Sequence, residues 1–194
     1  MNCGTEAEGW PAGVENVAFA FQCGVDVDPE PAGGGARNPG VFPYHVLRRE
    51  QTLPGTPDQV FRFFADALNL EAITPPWLGF RVTTPRPIEM RAGALIEYKL
   101  RLRGIPIAWL TRIEEWTPGV RFVDAQLAGP YRLWHHTHEF TPDGAGGTLM
   151  RDTVRYALPY WPLGEVAHAV VVRRDLAGIF DFRRDAVAQR LTRS

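Results

Sequence analysis

Cysteine is scarce in this sequence: Cys3 and Cys23 are its two thiols, both near the N-terminus and outside any periodic segment. That pattern gives neither a disulfide framework nor a thiolate metal centre, and it fits a reducing, cytoplasmic setting. An excess of one charge is also missing. The net charge is -1 and the pI about 6.5, so the chain has no electrostatic footprint for nucleic acid or an anionic membrane. No apolar run approaches the roughly 18 residues of a membrane span, so no transmembrane segment is expected. The first residues are acidic and rich in Gly and Pro, unlike the basic-then-apolar start of a signal peptide. There is no P-loop, no GxGxxG and no GxSxG, which argues against nucleotide-binding and serine-hydrolase chemistry. Asp143-Gly144-Ala145-Gly146-Gly147 reads as a hairpin turn, not as a phosphate cradle.

The residues that are present suit one domain. The chain has 194 residues, of which 45% are hydrophobic and 22% charged, enough for one substantial core. Residues 1–43 are broken by Gly4, Gly9, Pro11, Pro29, Pro31, the run Gly33 to Gly35 and Pro39. They read as a flexible tail or an over-long translation start, leaving 44–194 as the folded part. Tyr44 to Leu53 has a strand pattern. Thr56 or Asp58 can then cap a helix carrying Val60, Phe61, Phe64 and Leu68, with Pro57 in its first turn. A second short helix, Leu68 to Ile73, stops before Pro75-Pro76. Strands come next at Phe80 to Thr84, Ala94 to Arg103 and Ile105 to Trp116, and Trp116 leaves the alternating register, which predicts a bulge near Glu114-Glu115.

Three further strand-like runs lie between Arg121 and Leu158. At period two, Phe122, Asp124 and Gln126 share a face, as do Trp134, His136, His138 and Phe140, and then Met150, Asp152, Val154 and Tyr156. These faces carry the large apolar side chains and should be buried; His135 falls on the opposite face, toward solvent. After Pro162 the period becomes 3.6. Val166, Ala169, Val170, Leu176, Ile179, Phe180, Arg183 and Val187 then fall on one broad face of a helix of about 26 residues, about 39 Å long. The order β-α-α-β6-α is an α+β arrangement in which one curved antiparallel seven-stranded sheet wraps a long C-terminal helix. Long strands cannot pack flush against one helix, so a cavity between sheet and helix is expected. Tyr98, Trp109, Phe122, Asp124, Gln126, Trp134, His136, His138, Asp152, Tyr156 and Phe180 are the residues expected to line it. Trp77, beside Pro75-Pro76, would stand near its mouth as a gate.

Inward polar groups cost several kcal/mol unless they are paired, so Asp124, His136, His138 and Asp152 either satisfy one another or face a ligand. A histidine oriented by Asp124 or Asp152 is a candidate general acid or base that would enolise or dehydrate a carbonyl compound held by Tyr98, Gln126 and Tyr156. The same four side chains are of a type that suits zinc, iron or manganese. Alternation alone produces the i, i+2 spacing, however, and the expectation is no metal and no cofactor.

The runs Arg121-Phe122-Val123-Asp124-Ala125-Gln126, Gly129-Pro130-Tyr131, Trp134-His135-His136-Thr137-His138-Glu139-Phe140 and Met150-Arg151-Asp152, with Tyr156, Pro159 and Ile179-Phe180, resemble the START-like or SRPBCC (helix-grip) superfamily. They are most similar to its bacterial ligand-binding branch, which is related to polyketide cyclase and dehydratase-like proteins. The resemblance spans about Tyr44 to Arg190. It implies a single ligand-binding domain with an internal cavity for a hydrophobic small molecule such as a lipid, polyketide or isoprenoid-like compound. It also implies two other functions. One is a cyclase or dehydratase with His136 or His138 as acid/base. The other is an interaction module for an epimerase-like protein, because some members of the branch are fused to or encoded with such proteins.

Overall fold

The computed structural model describes residues 44–160 and 163–192; the expected N-terminal tail, 1–43, lies outside the described residues. Seven strands form a single antiparallel sheet. They are β1 (His45–Leu53), β2 (Arg81–Val82), β3 (Leu95–Leu102), β4 (Ile105–Thr117), β5 (Arg121–Ala128), β6 (Leu133–Pro142) and β7 (Thr148–Ala157). Their spatial order is β1-β7-β6-β5-β4-β3-β2. Everything after β1 is a meander of neighbours, and the last strand returns to pair with the first.

Helices α1 (Pro57–Phe64) and α2 (Asn69–Ala72) separate β1 from β2. The first starts where the sequence places a capping box. Thr56 Oγ1 accepts from the Gln59 amide at 3.4 Å, and Gln59 Oε1 accepts from the Thr56 amide at 2.8 Å, so two otherwise orphaned donors are satisfied, with Pro57 supplying the helical φ. The register of β4 against β5 shifts between Ile113 and Glu115. That extra residue is the expected bulge, and it returns Trp116 to the interior, against Phe61 and Phe122.

The C-terminal helix differs from its expected form. It begins as α3 (Leu163–Ala167), passes through a π-helical turn, His168–Val172, and continues as α4 (Arg173–Leu191). A π turn takes up extra residues and rotates the helix before it relative to the helix after it. Val166 and Val170 are therefore 63% and 70% exposed instead of sharing the buried face of Leu176, Phe180 and Val187. No described helix is long and apolar enough to cross a membrane.

Candidate functional site

One end of the interior is solid. Leu53, Val60, Phe61, Ile73, Phe122, Phe140, Met150 and Val187 form a buried cluster there. Phe61 lies 4.8 to 5.9 Å, ring to ring, from Trp116, Phe122 and Phe140 in edge-on geometry, an arrangement that aromatic quadrupoles favour.

Toward the start of α4 the same sheet is hollow. A partly open cavity of about 170 Å³ lies between sheet and helix, on the scale of the roughly 150 Å³ apolar cavity known to take up benzene. From β3 and β4 it receives Ile96, Tyr98, Leu100, Ile107, Trp109 and Thr111; from β5 and β6, Phe122, Asp124, Trp134, His136 and His138. Helix α4 supplies Leu176, Ile179, Phe180 and Arg183, a spacing that keeps all four on one helical face. Trp109 stacks on Tyr98 and meets Trp134 edge-on, so much of the wall is rigid aromatic surface.

The polar groups gather where the solid and hollow ends meet. In the cross-strand register His138 pairs with Asp152 and with Phe122, and His136 with Asp124 and Val154. Each imidazole therefore lies between two carboxylates. Asp124 Oδ2 is 3.1 Å from His138 Nε2 and 3.6 Å from His136 Nδ1. Asp152 Oδ1 is 2.7 Å from His138 Nδ1 and 3.1 Å from His136 Nε2. The His136 and His138 side chains are only 4% and 5% exposed.

Burial alone would raise both aspartates. For Asp124, the hydrogen bond from His138 and the charges of His136, His138 and Arg183 prevail and lower it. Asp152, 2.7 Å from the His138 ring and its charge and hydrogen-bonded to His136, is held well below the usual carboxylate range. The histidines diverge. Burial and the neighbouring His138 push His136 down, whereas for His138 the two carboxylates outweigh burial and push it up. The cluster thus favours ionised carboxylates and pulls its two imidazoles in opposite directions, with the Arg183 charge nearby. Farther along the wall, the Tyr98 hydroxyl lies 3.1 Å from Thr111 Oγ1. Burial and the Asp124 charge raise the Tyr98 phenol far above its ordinary value.

Tyr98, Trp109, Phe122, Asp124, Trp134, His136, His138 and Phe180 face the cavity, and three sequence candidates do not. Gln126 turns away to close the loop after β5, where its Nε2 donates to the Tyr131 carbonyl at 2.6 Å. Asp152 instead borders a separate small pocket, whose lining includes Arg49, Arg183 and Val187. Tyr156 is 3% exposed and engages His168 Nε2 at 2.9 Å. His135 is half-buried beside Glu114 instead of pointing to solvent. Trp77 is 64% exposed and packs on Phe182, outside the cavity lining. Sequence reasoning passed over Phe64, Leu70 and Ile73 of the α1–α2 region and Tyr131 as cavity residues. For the first three the helical apolar spacing was a visible signal; for Tyr131, in a loop, there was none.

Residues 44–192 match the family model described as "Polyketide cyclase / dehydrase and lipid transport". The chain belongs to this family, and its helix-grip architecture is that of the SRPBCC superfamily. No curated protein matches it. Among solved structures it is similar to TTHA0849 from Thermus thermophilus, at 19% identity and a TM-score of 0.62 over 76% of this chain and 97% of that one. It is similar to the Zhui aromatase/cyclase from a Streptomyces species at 18% identity, TM-score 0.54, over 74% and 93% of the two chains. It also resembles a nucleoside-diphosphate sugar epimerase from Corynebacterium glutamicum at 23% identity and a TM-score of 0.56, covering 75% of this chain but 29% of that one. These likenesses establish the fold.

Proposed function

We propose that the protein binds a hydrophobic small molecule, of lipid, polyketide or isoprenoid type, between the sheet and α4. The supporting observation is the cavity of about 170 Å³, which is apolar and aromatic over most of its wall with polar groups confined to one side. Such a division lets an apolar body be buried while one polar end is oriented. A titration with an environment-sensitive apolar fluorophore, followed by displacement with lipids, short polyketide mimics and isoprenoid alcohols, tests it. One saturable site from which an unlabelled compound displaces the dye is expected; failure of every compound to saturate would sink the reading.

A second reading is catalytic, a cyclase or dehydratase acting on a polyketide-like substrate. It is favoured by a specific placement: His136 and His138 both line the cavity while each is flanked by two carboxylates, as a positioned acid/base requires. Tyr98, across the wall, could donate its hydroxyl to a carbonyl oxygen. Turnover of a polyketide mimic that survives both His136→Gln and His138→Gln would remove it. The similarity to a segment covering 29% of an epimerase chain supports a partner of that kind, and co-purification with an epimerase-like protein is its test.

A further inference from the structure

We propose that Asp124, His136 and His138 bind one divalent transition-metal ion at the wall of the cavity, with Asp152 as the outer carboxylate that orients both imidazoles. One ligand atom from each of the three side chains lies within 4.8 Å of the others. Bonds of about 2.0 to 2.2 Å from a metal to nitrogen and oxygen set neighbouring ligand atoms about 2.8 to 3.6 Å apart around an octahedral or tetrahedral ion. The observed separations of 3.1 and 3.6 Å from Asp124 Oδ2 to His138 Nε2 and His136 Nδ1 lie within that span.

The second carboxylate strengthens the assignment. In each ring the nitrogen turned away from Asp124 is the one that meets Asp152: His138 Nδ1 at 2.7 Å and His136 Nε2 at 3.1 Å. Metal-bound histidines usually give their other N–H to such an acceptor. With the His136 N–H placed toward Asp152, the lone pair of His136 Nδ1 faces Asp124, and a metal bound at His138 Nε2 would replace the hydrogen bond that this nitrogen makes to Asp124. The His138 Nδ1 contact, though short, is off the hydrogen-bond direction and leaves that buried nitrogen without a directed partner, so protons alone satisfy the cluster incompletely.

Asp124, His136 and His138 all line the cavity, so the remaining coordination positions of the ion point toward the space where a ligand would sit. Two imidazoles, one carboxylate and open positions suit zinc, iron(II) or manganese(II). This site departs from the metal-free expectation drawn from strand alternation, because alternation cannot report which nitrogens converge.

The test is a titration of the full chain, after chelator treatment, with Co2+ alone. One equivalent should bind, with visible d–d absorption and two hyperfine-shifted imidazole N–H signals, and Zn2+ should displace it. Folded Asp124→Asn should lose about 100-fold or more in affinity. Asp152→Asn should lose about 10- to 100-fold while still binding one equivalent. His168→Gln, at the separate Tyr156–His168 contact, should bind like the unaltered chain. Absence of saturable Co2+ binding, fewer than two shifted imidazole signals, or undiminished affinity in Asp124→Asn overturns the site. The unaltered chain decides the matter even if the variants fail to fold, and the result is independent of the apolar-dye titration.

Discussion

The two ends of the interior are built on the same strands and have opposite characters. Strand β6 contributes Phe140 to the solid end and Trp134 to the cavity wall; on β5, Phe122 belongs to both and Asp124 to the wall. What differs is the layer opposite. At the solid end α1 supplies Phe61, and the last turns of α4 supply Val187. At the hollow end the early part of α4 bridges the sheet, with Leu176 and Phe180 reaching inward. The histidine–aspartate cluster stands at the seam, where buried polar groups can pair with one another and still face the cavity.

Truncation at the solid end should be the most damaging change. Phe61→Ala removes a ring in contact with three other aromatic rings and should cost about 3 to 5 kcal/mol in urea unfolding. A loss below about 1 kcal/mol would mean that this end is not close-packed. At the seam, Asp152→Ala leaves two buried imidazoles without the carboxylate beside them and should cost about 3 kcal/mol in chelator-treated protein. An unchanged unfolding midpoint would show that the cluster is not a buried ionic network.

Next in size is an alkaline effect from the hollow end. Burial raises the Tyr98 phenol, with the Asp124 charge adding to it; burial also raises Tyr131, helped by Tyr156 and Asp175. A folded pKa above the unfolded value of about 10 means full stability below pH 10, with loss as pH rises from there toward the folded values. Each tyrosine should contribute a slope of up to about 1.4 kcal/mol per pH unit, and Tyr98→Phe should remove its share. An identical alkaline slope in that variant would contradict the burial of Tyr98. The smallest stability change is expected from Leu100→Trp, which grows into the cavity. It should alter stability by less than about 1.5 kcal/mol while weakening apolar-dye binding about tenfold. Unchanged dye affinity would place the binding site elsewhere.

Much of the frame was legible because it is local. Thr56, Pro57 and Gln59 announce a helix start by their own hydrogen bonds, and the misfit of Trp116 announces the bulge. Alternation put His136, His138, Asp124 and Asp152 on one face without knowledge of any neighbour. The orientations of Gln126, Tyr156 and His135 were not legible. Each is set by a partner far from the strand rule: a loop carbonyl, a histidine on the π turn, a glutamate on β4.

By itself the sequence determined the element order, the inner faces and the chemical types gathered on them, since side-chain period and capping depend on residues a few positions apart. Tertiary structure alone decided which inner face is packed and which is hollow, which imidazole nitrogen meets which carboxylate, and that Val166 and Val170 turn outward ahead of α4. Those outcomes depend on how separate elements are set against one another, and no spacing along the chain encodes that distance.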